Sequence, residues 1–128
     1  MVSLAGDLKN KRVADLGSGD GRISIEFGKN GGLVTGFELD STLANTSREL
    51  ILENALEKTI TILEQDFWNA DLSHFDIITV YPMPDVMLLL EQKLQKELKK
   101  KAIVLTNYYP FPNWIHWDTK DKIFKYIK

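Results

Sequence analysis

Val13-Ala14-Asp15-Leu16-Gly17-Ser18-Gly19-Asp20-Gly21-Arg22 is the stretch on which the reading of this chain turns. An apolar run from Arg12 to Leu16 meets three glycines, and a helical pattern begins at once. Without side chains, Gly17 and Gly19 let a ligand lie directly against the backbone, while Gly21 lets helix and strand pack closely. The next apolar run, Leu33 to Glu38, ends on an acid inside Gly36-Phe37-Glu38-Leu39-Asp40. A carboxylate at the tip of that strand can accept both hydrogen bonds of a ribose diol. Taken alone, the glycines fit a tight turn beside a solvated Glu38 just as well. Strand, turn, helix, strand and acid in this order specify a nucleoside ligand far better.

The charges around the turn narrow the choice of nucleoside. A dinucleotide fold presents its helix N-terminus to a pyrophosphate. Here Asp15 precedes the first glycine of the turn and Asp20 sits between the last two. Negative charge there suits a cationic, zwitterionic ligand better than a phosphate. S-adenosylmethionine carries a sulfonium and an ammonium and has no phosphate.

Outward from the turn, strand-like runs alternate with helix-like patterns, as in βαβ units on a parallel sheet. A helix from Gly21 to about Asn30 places Ile23 and Phe27 on one face, and Asn30-Gly31-Gly32 ends it. Ser41 is placed to cap the next helix, with Leu43, Ser47, Leu50, Ile51 and Asn54 as its stripe. Thr59 to Leu63 predicts a third strand with one face less buried. Phe75 to Tyr81 predicts a fourth, closed by Pro82 and Pro84. Asp85 is placed to cap a long helix carrying Met87, Leu90, Leu94 and Leu98, and Ala102 to Asn107 predicts a fifth strand. About Ile115 to Asp118 and Ile123 to Ile127 read as an antiparallel edge hairpin around a tight polar turn. With no repeat, linker or low-complexity tract, residues 1–128 read as one α/β domain.

Composition excludes several chemistries. The chain has no cysteine, so a disulfide framework, a thiolate nucleophile and a cysteine zinc site are ruled out. His74 and His116 lack metal-ligand spacing and read as structural, so no metal is expected. No apolar run is long enough to span a bilayer and no signal-peptide core is visible, so the expected location is cytoplasmic. A formal net charge of −2 leaves no basic footprint, which argues against a nucleic-acid partner. Lys99-Lys100-Lys101 reads as a solvated helix end. Trp114 and Trp117 read as aromatics packing on the sheet, with a grip on substrate as the alternative.

Asp15-Leu16-Gly17-Ser18-Gly19-Asp20-Gly21-Arg22 followed by Gly36-Phe37-Glu38-Leu39-Asp40 resembles the cofactor signature of class I S-adenosylmethionine-dependent methyltransferases. More narrowly, the chain is similar to the archaeal broad-specificity protein-lysine methyltransferases and to their mitochondrial relatives that modify inner-membrane proteins. That likeness runs on through Ser47-Arg48, Gln65-Asp66-Phe67-Trp68, Asp71-Leu72-Ser73, Leu90-Glu91-Gln92-Lys93-Leu94 and Tyr109-Pro110-Phe111-Pro112-Asn113-Trp114. The last block is the narrower pointer. The resemblance implies a Rossmann-like, mostly parallel seven-stranded sheet with a C-terminal antiparallel hairpin and helices on both faces.

It also implies roles. Gly17, Ser18, Gly19 and Gly21 would pass the methionine part of the cofactor, and Asp15 would help bind its ammonium. Glu38 would hold the ribose, with Leu39 against the adenine. Asp66 matches the acid that accepts from the adenine amino group, with Phe67 beside it; on spacing alone, Asp66 is equally a loop acid next to core aromatics. Tyr81, Asn107 and Tyr108 are candidates to line a channel for the acceptor, and each fits equally a satisfied residue at its rim. The implied acceptor is the side-chain amine of protein lysines.

Departures from the pattern bear on the acceptor. The lysine methyltransferases usually carry a helical segment before the first strand, whereas here Met1 to Lys11 precede it, so part of a lid or substrate surface is expected to be missing. Enzymes that methylate amino groups of nucleic acids often show Asn/Asp-Pro-Pro-Tyr after the fourth strand; Tyr81-Pro82-Met83-Pro84 stands there instead. Methylation of RNA or a small molecule is the second reading. A cofactor-binding partner chain without its own activity is the third.

Overall fold

The computed structural model describes residues 1–81 and 84–128. Its centre is a seven-stranded sheet, composed of β1 (Arg12–Leu16), β2 (Leu33–Phe37), β3 (Ile60–Leu63), β4 (Ile77–Val80), β5 (Ile103–Asn107), β6 (Asp118–Lys120) and β7 (Ile123–Ile127). The spatial order is β3-β2-β1-β4-β5-β7-β6. The first five strands run parallel, and β7 pairs antiparallel with both β5 and β6. The chain reverses direction across the sheet between β1 and β4, the point where ligands bind in open α/β sheets.

Four helices accompany these strands: α1 (Val2–Ala5), α2 (Arg22–Lys29), α3 (Ser41–Glu53) and α4 (Met87–Glu97). Because side chains alternate along a strand, each central strand feeds two cores. Ala14, Ile78 and Val104 face α4, packing with Leu90, Leu94 and Tyr126. Val13, Ile77 and Leu105 face the other way and pack with Leu4, Phe27, Ala44 and Ile51 of α1, α2 and α3. Helices therefore cover both faces, which is why β1, β4 and β5 are almost continuously apolar.

Several boundaries differ from the sequence reading for identifiable reasons. Asp40, not Ser41, caps α3: its carboxylate accepts from the Thr42 and Leu43 N–H groups at 2.9 and 3.1 Å. Ser41 lies inside the helix and donates to Glu64 at 2.9 Å. The buried stripe of α3 is Ala44, Ser47 and Ile51, while Leu43 stays exposed. Asp85 does not cap α4, because a single 3₁₀ turn, Pro84–Val86, intervenes and Val86 takes the capping position without a side-chain bond. Of the two prolines expected to close β4, Pro82 lies outside the described residues.

The hairpin forms, but its first strand lies further along than expected, at Asp118–Lys120 instead of Ile115 to Asp118. Ile115 and Trp117 are strongly exposed, at 89% and 73%, so Trp117 does not pack on the sheet. Trp114 does, stacking on Phe111 with ring centroids 5.6 Å apart. The lysine run is not a helix end. α4 stops at Glu97, and Lys99 reaches back to Asp76 with a 2.6 Å ion pair at the N-terminal rim of the sheet.

Candidate active site

The chain leaves β1 and turns within five residues onto α2. Gly17 and Ser18 both donate their N–H groups to the Phe37 carbonyl, at 2.9 and 3.0 Å, tying the turn to the end of β2. Gly17 and Gly19 have φ of 72° and 56°, which glycine adopts without strain. Among the described residues a Cβ built on either would meet nothing within 4 Å, so both backbones face open space. Gly21 does something else. A Cβ there would lie 2.7 Å from the Ser47 Cβ, so its missing side chain makes room for α3 and not, as expected, for a strand.

Glu38 is bound on both sides by backbone. Its Oε1 accepts the Gly19 N–H at 2.7 Å and its Oε2 accepts the Asp40 N–H at 2.9 Å. A carboxylate offers about four acceptor positions, so two remain for a ligand diol. Asp15 sits below the turn on the α2 side of the sheet, buried, with Ser24 Oγ donating to it at 2.7 Å. Burial raises its carboxyl to about 6, against the opposing hydrogen bonds from Ser24. Asp20, by contrast, is held below its ordinary value by the hydrogen bond from Arg22, whose Nε lies 2.9 Å away. Ser18 Oγ is buried and lacks a hydrogen-bond partner among the described residues.

Two cavities meet at Gly17. The first, about 460 Å³, is lined by Asp15, Gly17, Ser18, Gly19, Thr79, Tyr81 and Asn107, among others. The second, about 400 Å³, is lined by Gly17, Phe37, Glu38, Leu39, Asp66, Phe67 and Trp68. Sequence-predicted residues therefore fall into two adjoining groups: Asp15 with the small residues, Tyr81 and Asn107 in one, and Glu38 and Asp66 with Leu39 and Phe67 in the other. Gly21 lines neither cavity, and Tyr108 stands outside the first, with its ring edge-on to Tyr81 at 6.4 Å.

The walls of the second cavity are braced by Asp66 itself and by Lys93 and Glu97, to which the sequence reading gave no role. Asp66 Oδ1 accepts the Trp68 N–H at 3.0 Å and so opens a single turn, Phe67–Asn69. Lys93, on α4, donates to the Trp68 and Ala70 carbonyls at 3.2 and 2.8 Å and to Glu97 at 2.6 Å. Glu97 in turn accepts the Leu72 N–H at 3.1 Å. All three ammonium protons are thus engaged, and the loop is clamped to α4 from beneath. The first cavity gains Met1, whose Sδ lies 3.0 Å from Thr79 Oγ1, and Arg22. The residues ahead of β1 thus reach the site.

The Pro110-Phe111-Pro112-Asn113-Trp114 block proves architectural. The Phe111 N–H donates to the Tyr126 hydroxyl at 2.8 Å, and the Asn113 N–H to buried Glu91 at 2.8 Å. This pins the segment after β5 across α4 and β7. Among the described residues no group of three or more potential metal ligands converges, and no helix is long and apolar enough to cross a membrane.

Comparison with known proteins agrees with this geometry. The model of the ANTKMT methyltransferase domain matches residues 15–118. The adenine nucleotide translocase lysine N-methyltransferase of Mus musculus is 33% identical over 80% of this chain and 45% of its own length. The protein-lysine N-methyltransferase of Saccharolobus islandicus is 28% identical over 89% of this chain and 72% of its own. The chain spans less than half the length of the vertebrate relatives it matches. A crystal structure described as an RNA methyltransferase from Salinibacter ruber, in complex with S-adenosyl-L-homocysteine, superposes with a TM-score of 0.94. It is 25% identical and covers 98% of this chain and 86% of that one. With the strand order, the glycine turn and a match over residues 15–118, the chain belongs to the ANTKMT methyltransferase domain family.

Proposed function

We propose that this chain moves a methyl group from S-adenosylmethionine to the side-chain amine of protein lysines. The observation that carries the reading is the junction of two cavities at Gly17, at the switch point of a methyltransferase-type sheet: one has Asp15 beside bare glycine backbone, the other has Glu38 and Asp66 among aromatic rings. The residues fit that cofactor. Gly17 and Gly19 offer bare backbone for a close-lying ligand, Ser18 Oγ is buried with no partner among the described residues, and Glu38 has acceptor positions to spare. Asp15 would hold the ammonium and Glu38 the ribose diol. Asp66, Phe67 and Leu39 would receive the adenine.

When bound, S-adenosylmethionine supplies a methyl carbon already activated by its sulfonium. What this chain must do is align the acceptor nitrogen and exclude water. Tyr81 and Asn107 line the cavity at the ends of β4 and β5. Asn107 can orient an amine through its amide, and the apolar surface of the cavity disfavours a charged lysine, releasing its proton to water. The lysine acceptor is supported by the names of the relatives and by the lack of an Asn/Asp-Pro-Pro-Tyr motif after β4.

The match to a structure described as an RNA methyltransferase favours RNA as the second reading. The net charge of −2 weighs against it. Incubating the purified chain with isotopically labelled S-adenosylmethionine and a cell extract separates these outcomes. Label on lysine supports the proposal, and label only in RNA or small metabolites overturns it. Cofactor binding with no label on any acceptor points instead to a partner chain without its own activity.

A further inference from the structure

The aromatic rim of the first cavity already carries an ammonium group. Tyr81 lines the cavity, and the Tyr108 ring meets it edge-on, with 6.4 Å between centroids and 63° between planes. Both residues are more than half exposed, at 62% and 51%. On Tyr108 rests the Lys122 ammonium, its Nζ 5.0 Å from the ring centroid. An aromatic face attracts such a cation through its quadrupole.

Both members of this contact stand in left-handed backbone, with φ of 71° at Tyr108 and 64° at Lys122. That conformation is unfavourable for residues with a Cβ. Lys122 is moreover the second central residue of the turn between β6 and β7, after Asp121 at φ 51°. Two-residue hairpin turns of this hand favour glycine in that place. A single hydrogen bond, from the Tyr108 N–H to the Lys122 carbonyl at 2.8 Å, joins the two strained residues. Strain maintained in this way gathers where function needs it.

We infer that the Tyr81–Tyr108 pair is the docking face for the ammonium of an incoming lysine, and that Lys122 is an intramolecular competitor for it. The inference deepens the proposed lysine specificity and rests on it. An acceptor lysine meets the rim while charged and loses its proton only inside, against the apolar part of the cavity surface. Lys122 then sets a threshold, because an acceptor must displace it from the Tyr108 ring.

The test titrates Nα-acetyl-lysine amide into the whole chain saturated with S-adenosylhomocysteine and follows the tyrosine ring protons by NMR. The probe is expected to shift the Tyr81 and Tyr108 rings. Lys122→Gly should tighten its binding about fivefold and Tyr108→Leu should weaken it about fivefold, with S-adenosylhomocysteine affinity unchanged in both. The uncharged Nα-acetyl-norleucine amide should discriminate between none of these proteins. Equal binding of the lysine probe to the wild type and Lys122→Gly, or shifts confined to other residues, overturns the inference. No turnover is needed, so the two claims fail separately. Rim binding without lysine labelling in an extract sinks the activity alone, and lysine labelling without ring shifts sinks the docking face alone.

Discussion

Glu38 and Gly19 are joined by a 2.7 Å hydrogen bond from the glycine N–H to the carboxylate, so the residue assigned to the ribose also shapes the glycine turn. Removing its charge therefore acts twice. Glu38→Gln weakens the bonds from Gly19 and Asp40 and those to a ribose diol. Hydrogen bonds to a charged group contribute about 1.5–3 kcal/mol each, so cofactor affinity should fall roughly 10- to 100-fold. Calorimetric titration with S-adenosylhomocysteine checks this; an unchanged Kd removes Glu38 from the site.

Asp15 sets a pH dependence whose sign follows from its burial. Its ordinary value is 3.8 and burial raises it to about 6 in the folded chain. Between those values the folded state binds more protons than the unfolded one. Its contribution to stability is therefore greatest in acid and falls by roughly 3 kcal/mol as the pH rises through that window. Asp15→Asn should abolish this slope, so the stability difference between variant and wild type should move in the variant's favour from about pH 4 to about pH 7. Denaturant unfolding at several pH values measures it. Cofactor binding runs the opposite way. On the proposed role of Asp15 the cofactor's ammonium pairs with the ionised carboxylate, so wild-type affinity should weaken below about pH 6 while that of Asp15→Asn stays low and flat.

Alanine at Gly21 and at Gly17 should fail differently. Both positions have positive φ, at 88° and 72°, which costs a residue with a Cβ about 1–2 kcal/mol. At Gly21 the new methyl also meets the Ser47 Cβ at 2.7 Å. The total loss of stability there should reach about 3 kcal/mol. Gly17→Ala meets nothing within 4 Å, so thermal unfolding should shift modestly while S-adenosylhomocysteine binding suffers most. Equal losses of stability in the two variants would contradict the division of labour.

Lys93→Met removes the clamp beneath the second cavity. It leaves Glu97 without its ammonium and frees the Trp68 and Ala70 carbonyls. Breaking such a half-buried network should cost roughly 3 kcal/mol. The loop carrying Asp66 should also exchange its amide hydrogens faster. A hydrogen-exchange map that stays protected over 66–70 would show that the loop holds its shape without Lys93.

The fold was legible where a single physical constraint dominated. β1, β4 and β5 are covered on both faces, and their near-continuous apolar runs announce it. Gly17 was legible because the turn needs left-handed backbone, and the place of Glu38 beside that turn because the acid closes the neighbouring strand. Where two neighbouring side chains could serve, sequence did not decide. Asp40 and Ser41 both make good caps, and only the extended backbone of Asp40 selects it. The displaced β6 has a similar origin. Pairing is set by the Asp121-Lys122 turn, which brings polar residues 118–120 into register and leaves Ile115 outside the strand. Lys93 and Met1 act across 25 and 78 residues of sequence, at which distance no local pattern could announce them.

β7 is seventh along the chain but sixth across the sheet, hydrogen-bonded on one side to β5 and on the other to β6. Its Tyr126 is fully buried in the α4-side core and holds the segment after β5 through the Phe111 N–H. During synthesis, α4 and β5 must therefore wait, with one face uncovered, until residues some twenty positions further on have emerged. A ribosome stalled between β5 and β7 would hold a chain whose cofactor turn is complete but whose α4-side core is still open.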